Sequence, residues 1–298
     1  MFVPSSNPVH KVKNFDDVPA KKRVYPLIAQ EKHDGCYAFA VVAKDDYRIF
    51  SRTGKSEFHS LHHLRDDLIV MHNNFDLSDI VVIFEVKADG MSAAAIAGAC
   101  QDTKELFPEA YAIVHDCIPY KDFVRGHCEV PYSLRYDVAV AVAKKLNWLY
   151  SSYYLVRDEE HARCFAQGII NNGGEGAVFK RPDATWTAGK KNELYMKIKQ
   201  ELSYDLLVTG IEEGEGKYTG TTGKLVLKFR AFGKPDGELV DVRVSGMTDA
   251  ERDLWWSTPS LIIGKIVQVD AMRFTDYGML REPRFKGVRF DKEEADIA

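Results

Sequence analysis

The sequence predicts a mixed α+β fold in two domains. Antiparallel sheets flanked by helices are expected over residues 1–202, and a small β-barrel of the OB type over residues 203–298. Three observations predict this. The 298 residues are long for one core and comfortable for two. The first two thirds alternate short apolar runs with helical periodicity. After Lys199 the texture changes to β-rich runs broken by glycine clusters.

The elements follow in order. Tyr25 to Glu31 reads as a strand, followed by a turn at His33-Asp34-Gly35. Tyr37 to Val42 and Tyr47 to Ser51 read as a hairpin across Lys44-Asp45-Asp46. Val81 to Val86 is a nearly continuous apolar run, as in a strand covered on both faces. Leu134, Val138, Val142 and Leu146 recur every four residues and predict one amphipathic helix. A second helix is expected from near Asp158 to Asn172-Gly173-Gly174. Beyond Tyr204 come strands at Leu206 to Ile211, Leu225 to Phe229, Leu239 to Val244 and Ile266 to Phe274. One helix interrupts them, announced by a capping box of Thr248 and Glu251 before Leu254, Trp255 and Trp256. Both tryptophans are expected to pack in the barrel core.

Composition narrows the class. Hydrophobic residues make up 45% and charged residues 28%, so the chain is globular. No run approaches the eighteen apolar residues of a membrane span, and the N-terminal stretch lacks the apolar core of a secretory signal. Net charge is -4, so nucleic-acid binding does not follow from bulk basicity. From Tyr204 onward 14 basic residues face 17 acidic ones, and the remainder holds 26 against 27. Any basic groove must therefore be local. Five scattered cysteines, none spaced as in a zinc ribbon, point to free thiols in a reducing, cytoplasmic compartment. The run His59-Ser60-Leu61-His62-His63 lacks the spacing of a closed metal site and reads as a polar helix face.

Chemistry concentrates in a few short segments. In Glu31-Lys32-His33-Asp34-Gly35 a lysine leaves a strand and enters a tight turn. Alone, that is also what a solvated lysine beside an Asp-Gly turn looks like. As a nucleophile, a lysine attacks only as the neutral amine, which requires burial or nearby positive charge. Glu193 to Lys199 supplies such charge. Strand alternation puts Lys197 and Lys199 on one face, about 7 Å apart, as a phosphate clamp would need. Glu85 interrupts the apolar run Val81 to Val86, and a carboxylate there must be paired or bind a ligand. Gly173-Gly174-Glu175-Gly176 leads into a strand that presents Glu175 at its start, and Ser51-Arg52-Thr53-Gly54 closes the hairpin.

Together these segments resemble the ATP-dependent DNA ligases of the covalent nucleotidyltransferase superfamily, particularly the small viral and phage forms, over about Tyr25 to Lys292. The resemblance implies an ATP-grasp-like nucleotidyltransferase domain, then an OB domain, with ATP and Mg²⁺ (or Mn²⁺ in its place) as cofactors. It implies that Lys32 carries AMP, with Glu31 beside it in the nucleotide site. Arg52 binds the 5'-phosphate side of a nick, and Glu85 contacts the ribose. Tyr111, opening Tyr111-Ala112-Ile113-Val114-His115-Asp116, stacks on adenine. Lys197 and Lys199 hold the α-phosphate, and Asp34, Glu85 and Glu175 are the carboxylates nearest the metal. Gly214-Glu215-Gly216-Lys217-Tyr218 and Gly220 to Gly223 resemble the opening of a ligase OB domain. Pro283 to Lys292 resembles the family's last motif, in which Arg289 and Lys292 orient pyrophosphate. One departure stands out, since Tyr37 occupies a place where the family usually has arginine.

The implied reaction is sealing of nicked duplex DNA by a monomer, through lysyl-AMP and a DNA-adenylate, with a hinge near Gln200 to Asp205. An RNA ligase or GTP-using capping enzyme would share the lysine. A catalytically silent OB protein would bind single strands without it. Lys32, Glu85, Glu175, Lys197 and Lys199 in one chain argue against the last.

Overall fold

The computed structural model describes residues 8–43, 46–75, 79–232, 239–275 and 277–296. The chain packs as two compact units, Met1–Lys199 and Gln200–Ala298.

The first unit carries the strands β1 (Lys11–Asn14), β2 (Leu27–Glu31), β3 (Cys36–Ala43), β4 (Asp46–Ser51), β5 (Ile80–Lys87), β6 (Tyr111–Pro119), β7 (His127–Cys128), β8 (Leu149–Tyr150), β9 (Tyr153–Val156), β10 (Gly176–Lys180), β11 (Trp186–Thr187) and β12 (Lys191–Lys199). Its helices are α1 (His62–Phe75), α2 (Ala93–Gln101), α3 (Tyr120–Arg125), α4 (Tyr132–Leu146) and α5 (Glu159–Asn171). Two five-stranded sheets form, ordered β1-β12-β10-β2-β9 and β4-β3-β5-β6-β8. All their pairings are antiparallel except β1 with β12 and β6 with β8. The hairpin joins β3 to β4 as expected, though Lys44 and Asp45 of its turn lie outside the described residues.

The apolar run of β5 is covered on both faces, which is why it does not alternate. Val82, Phe84 and Val86 enter one core with Leu64, Leu68, Ile96 and Val142. Val81 and Ile83 enter another with Phe39, Phe123 and Trp186. The sheet carrying β2, β10 and β12 is backed by α5, whose Ala162 and Ala166 pack beside Phe179 and Met196. Asp158 caps α5, its side chain accepting from the His161 N–H.

Helix α4 corrects the stripe read from the sequence. Leu134 and Val138 are exposed at 56% and 46%, and the buried face is Tyr132, Arg135, Tyr136, Ala139, Val142, Ala143 and Leu146. A strict four-residue repeat drifts by about 40° per step on a helix of 3.6 residues per turn. Leu134 and Val138 therefore rotate away from the face that Val142 and Leu146 occupy. In the histidine run, the His63 ring bonds the Ala110 carbonyl at 2.7 Å.

The second unit contains β13 (Leu202–Glu213), β14 (Thr222–Arg230), β15 (Leu239–Val244), β16 (Ile266–Ala271) and β17 (Arg284–Val288), with α6 (Asp249–Ser257) after β15. Their order is β15-β14-β13-β16-β17. Among the described residues the edge strands approach through the bridge of Ser245 to Arg284, which carries the sheet round toward a barrel. The capping box forms as read, with Thr248 and Glu251 bonding each other's backbone N–H. Trp255 packs edge-on against Phe285 in the core. Trp256 does not join it and stays 37% exposed.

Candidate active site

The site is assembled where β2 leaves its sheet. The Lys32 N–H donates to the Gly176 carbonyl at 2.8 Å, so the lysine's backbone is fixed to the start of β10. That puts its side chain against Glu175, with Nζ 2.6 Å from Oε2. Glu175 is 7% exposed at its side chain and Lys32 26%. The pair is therefore only partly solvated, and each charge depends on the other. Gly176 makes this possible. Its φ is 140°, and a Cβ there would lie 2.2 Å from the Ile198 carbonyl oxygen. Only glycine lets β10 approach β12 this closely.

That approach brings in the second lysine group. Val178 pairs with Lys197 and Gly176 with Lys199. Burial pushes the Lys197 ammonium below its ordinary range, and Lys199 and Lys32 push it further, against the pull of Glu175. Lys32 thus contacts Glu175 directly, while Lys197 feels Glu175, Lys32 and Lys199 together.

The turn after Lys32 is pressed onto β5. A Cβ on Gly35 would meet the Val86 carbonyl oxygen at 2.2 Å and Glu85 Cγ at 3.0 Å. The Lys87 ammonium donates to the Asp34 carbonyl at 2.9 Å and pins the turn. Glu85 shares the face of Val81 and Ile83, next to its cross-strand partner Tyr37. Burial lifts its carboxyl from 4.5 to about 7, opposed by Lys32 and by the Gly35 N–H, and helped by the negative charge of Glu175. Arg52, exposed just past β4, also acts on Glu85 and on Tyr37. The sequence-derived residues Lys32, Asp34, Arg52, Glu85, Glu175, Lys197 and Lys199 therefore gather at one end of the two sheets. Glu31 pairs with Ala177, and its carboxylate lies 3.8 Å from the His33 ring.

Tyr111 is placed differently. It opens β6 opposite Lys87, and its hydroxyl donates to Asp89 at 2.9 Å. Four residues on stands His115, another aromatic ring of β6. Burial holds its imidazole well below the usual range, and Lys180, His33 and Lys32 add to that. Its ring centroid lies 5.8 Å from that of Tyr37.

A buried polar network that the sequence did not reveal supports these groups. Arg135 grips Asp116 through Nε at 3.0 Å and Nη2 at 3.1 Å, and also donates to the Tyr195 hydroxyl at 2.7 Å. Tyr132 bonds Gln30 at 2.7 Å, next to Glu31, and accepts from Lys180 at 2.8 Å. Burial brings Lys180 down to about 7. Lys180 ends β10, the strand that Gly173-Gly174-Glu175-Gly176 leads into. Its partners lie in distant segments.

Among the described residues no three His, Cys, Asp or Glu side chains gather as a closed metal site. Glu85 and Glu175 are hard oxygen donors beside amines, which suits a cation shared with phosphate oxygens. Arg289 and Lys292 belong to the second unit. There both contact Asp205, Arg289 Nη1 at 2.9 Å and Lys292 Nζ at 2.5 Å.

Comparisons with known proteins fit this geometry. The model of the ATP dependent DNA ligase domain matches residues 9–199, and that of the DNA ligase OB-like domain matches residues 213–289. A DNA ligase of Natronomonas pharaonis is 31% identical over 147 residues, covering 43% of this chain and 26% of the relative. A probable DNA ligase of Pseudarthrobacter chlorophenolicus is 27% identical over 229 residues, covering 72% of this chain and 42% of the relative. The chain thus spans well under half the length of these curated relatives. Among solved structures, Pmar-Lig_PreS3 superposes with a TM-score of 0.80 at 22% identity, over 95% of this chain and 67% of that one. The ATP-dependent DNA ligase from bacteriophage T7, in complex with ATP, gives 0.56 at 19% identity, over 94% and 98%. These likenesses establish the fold. With a family model spanning residues 9–199 of 298, the chain belongs to the ATP-dependent DNA ligase family.

Proposed function

We propose that the chain seals 5'-phosphate/3'-hydroxyl nicks in duplex DNA at the expense of ATP. The observation that supports this most is the Lys32–Glu175 contact of 2.6 Å with Lys197 beside it. A lysine held by a carboxylate among other cations is placed to meet a phosphate.

Lys32 Nζ attacks the α-phosphorus of ATP. The ammonium gives up a proton to solvent, the freed lone pair forms the N–P bond, the P–O bond to pyrophosphate breaks with its electron pair on pyrophosphate, and AMP stays on the lysine. A 5'-phosphate oxygen at the nick then attacks that phosphorus and frees Lys32. Finally the 3'-hydroxyl attacks the activated 5'-phosphate and expels AMP. Lys197 and Lys199 neutralise charge on the phosphorus oxygens in each step. Glu175 holds the Lys32 ammonium until substrate arrives and, with Asp34 and Glu85, would hold Mg²⁺. When bound, Mg²⁺ supplies charge neutralisation at phosphate oxygens. Arg52 is assigned to the 5'-phosphate side, and Arg289 and Lys292 to pyrophosphate. The nucleobase platform is assigned to His115 rather than Tyr111, because His115 lies in the field of Lys32 and Tyr111 is tied to Asp89.

Monomeric action in the cytoplasm completes the reading. Five cysteines without a disulfide support the reducing compartment; separately, among the described residues no helix is long and apolar enough to cross a membrane. Intact-mass measurement after incubation with Mg²⁺ and either ATP or GTP tests the proposal. An adduct of AMP mass on Lys32 is expected. A GMP adduct would point to a capping-type enzyme. No adduct would remove the covalent mechanism.

A further inference from the structure

The last-motif cations share one buried carboxylate. Asp205 lies on β13, 5% exposed, five residues past the start of its unit. Arg289 Nη1 donates to both of its oxygens, at 3.1 and 2.9 Å. Lys292 Nζ reaches Oδ2 at 2.5 Å. The backbone of Asp205 is engaged as well. Its N–H donates to the Asp296 carboxylate at 2.9 Å, and its carbonyl accepts from the Asp296 N–H at 2.6 Å. One residue of a central strand therefore ties down both cations and the chain that follows them.

We propose that Asp205 is the positioning residue of the pyrophosphate step, fixing the Arg289 and Lys292 side chains before the nucleotide arrives. The proposal rests on the nick-sealing reading above. Arg289 and Lys292 are long side chains, 29% and 35% exposed. Free, each would carry side-chain rotamer entropy to be lost on binding an anion. A rigid carboxylate removes that loss in advance, which is preorganisation.

The carboxylates around the pair differ in exposure, and this decides which yields to an incoming anion. Arg289 also bonds Asp291, through Nε at 2.9 Å and Nη2 at 2.8 Å. Asp291 is 68% exposed, whereas the Asp205 side chain is 7% exposed. A phosphate oxygen can replace the solvated Asp291 on the outer edge of the guanidinium while Asp205 keeps its grip on Nη1. Lys292 has three N–H donors and, among the described residues, two carboxylate partners, Asp205 and Asp296. One donor is left for ligand.

A double-mutant cycle tests this. Covalent adenylation is measured in single turnover across ATP concentrations for wild type, Asp205→Asn, the Arg289→Ala/Lys292→Ala double variant and the triple variant. Sealing of a pre-adenylated nick is measured on the same preparations. Asp205→Asn should lower the second-order adenylation rate by about 10-fold or more and leave pre-adenylated sealing within about 2-fold. On the double-variant background it should cost almost nothing more, because it acts through those two cations. Losses that multiply in the triple variant, or equal loss in both half-reactions, overturn the proposal. If Asp205→Asn does not fold, Asp205→Glu keeps the charge, displaces the carboxylate by one methylene and carries the same expectations. A wild type that forms no AMP adduct removes the nick-sealing reading and this proposal together. An adduct that forms equally well in the double variant removes only the role given to the last motif and to Asp205.

Discussion

Replacing Glu85 by glutamine should stabilise the protein at alkaline pH while impairing adenylation. Burial lifts the Glu85 carboxyl from 4.5 to about 7 in the folded protein. As pH rises past 4.5 the unfolded chain gives up this proton and the folded chain retains it, so stability falls. The fall continues to about pH 7, where the folded carboxyl also ionises, and then levels off. Each pH unit of that window is worth about 1.36 kcal/mol. Across it, the wild type loses about 3 kcal/mol. Glutamine has the same shape and no proton to lose. Glu85→Gln should therefore match the wild type near pH 5 and exceed it by about 2–3 kcal/mol at pH 8. The assay is hydrogen exchange of the peptide spanning β5 at both pH values, which reports opening of the first unit alone. A stability difference that does not change with pH refutes the reasoning. So does a variant less stable at pH 8, which would mean that Lys32, Arg52 and the Gly35 N–H stabilise the carboxylate by more than burial costs.

Three further outcomes are expected. Lys32→Ala should form no nucleotide adduct yet still seal a pre-adenylated nick, and an adduct on another lysine would displace the site assignment. His115→Ala should raise the ATP requirement for adenylation by about 10-fold or more, in line with about 1–3 kcal/mol for a stacked base. Tyr111→Phe should change it little, and the reverse order would return the platform to Tyr111. Gly176→Ala should cost about 2–5 kcal/mol by urea unfolding, since φ of 140° is strained for alanine and its Cβ meets the Ile198 carbonyl. An unchanged unfolding midpoint would mean that β10 can move away from β12.

Much of the site was legible because its chemistry sits on residues that local pattern exposes. Lys32 follows an apolar strand and precedes Asp-Gly, Glu85 interrupts an apolar run, and Lys197 and Lys199 alternate with Met196 and Ile198. Each anomaly is local, and the fold only brings the ends together. The supporting network was illegible for the opposite reason. Arg135 meets Asp116 across 19 residues and Tyr195 across 60, and Lys180 meets Tyr132 across 48. No window of sequence contains such a pairing, and singly these residues look like ordinary surface charges or core aromatics.

The proposal of His115 in place of Tyr111 as the platform follows from a local feature of β6. In β6 the pairing with β5 runs Val114 to Phe84 and Asp116 to Ile83, so His115 has no partner and forms a bulge. Ala112, Val114 and Cys117 all enter the same core, which strict two-residue alternation forbids. The extra residue absorbs the mismatch. It lets two successive side chains, His115 and Asp116, turn away from that core, one toward the Tyr37 ring and the other onto Arg135. Bulges re-aim side chains beside active sites, and nothing in Tyr111 to Asp116 marks where alternation breaks. Tyr111, nominated by resemblance, opens the same strand four residues before the bulge, where alternation still holds.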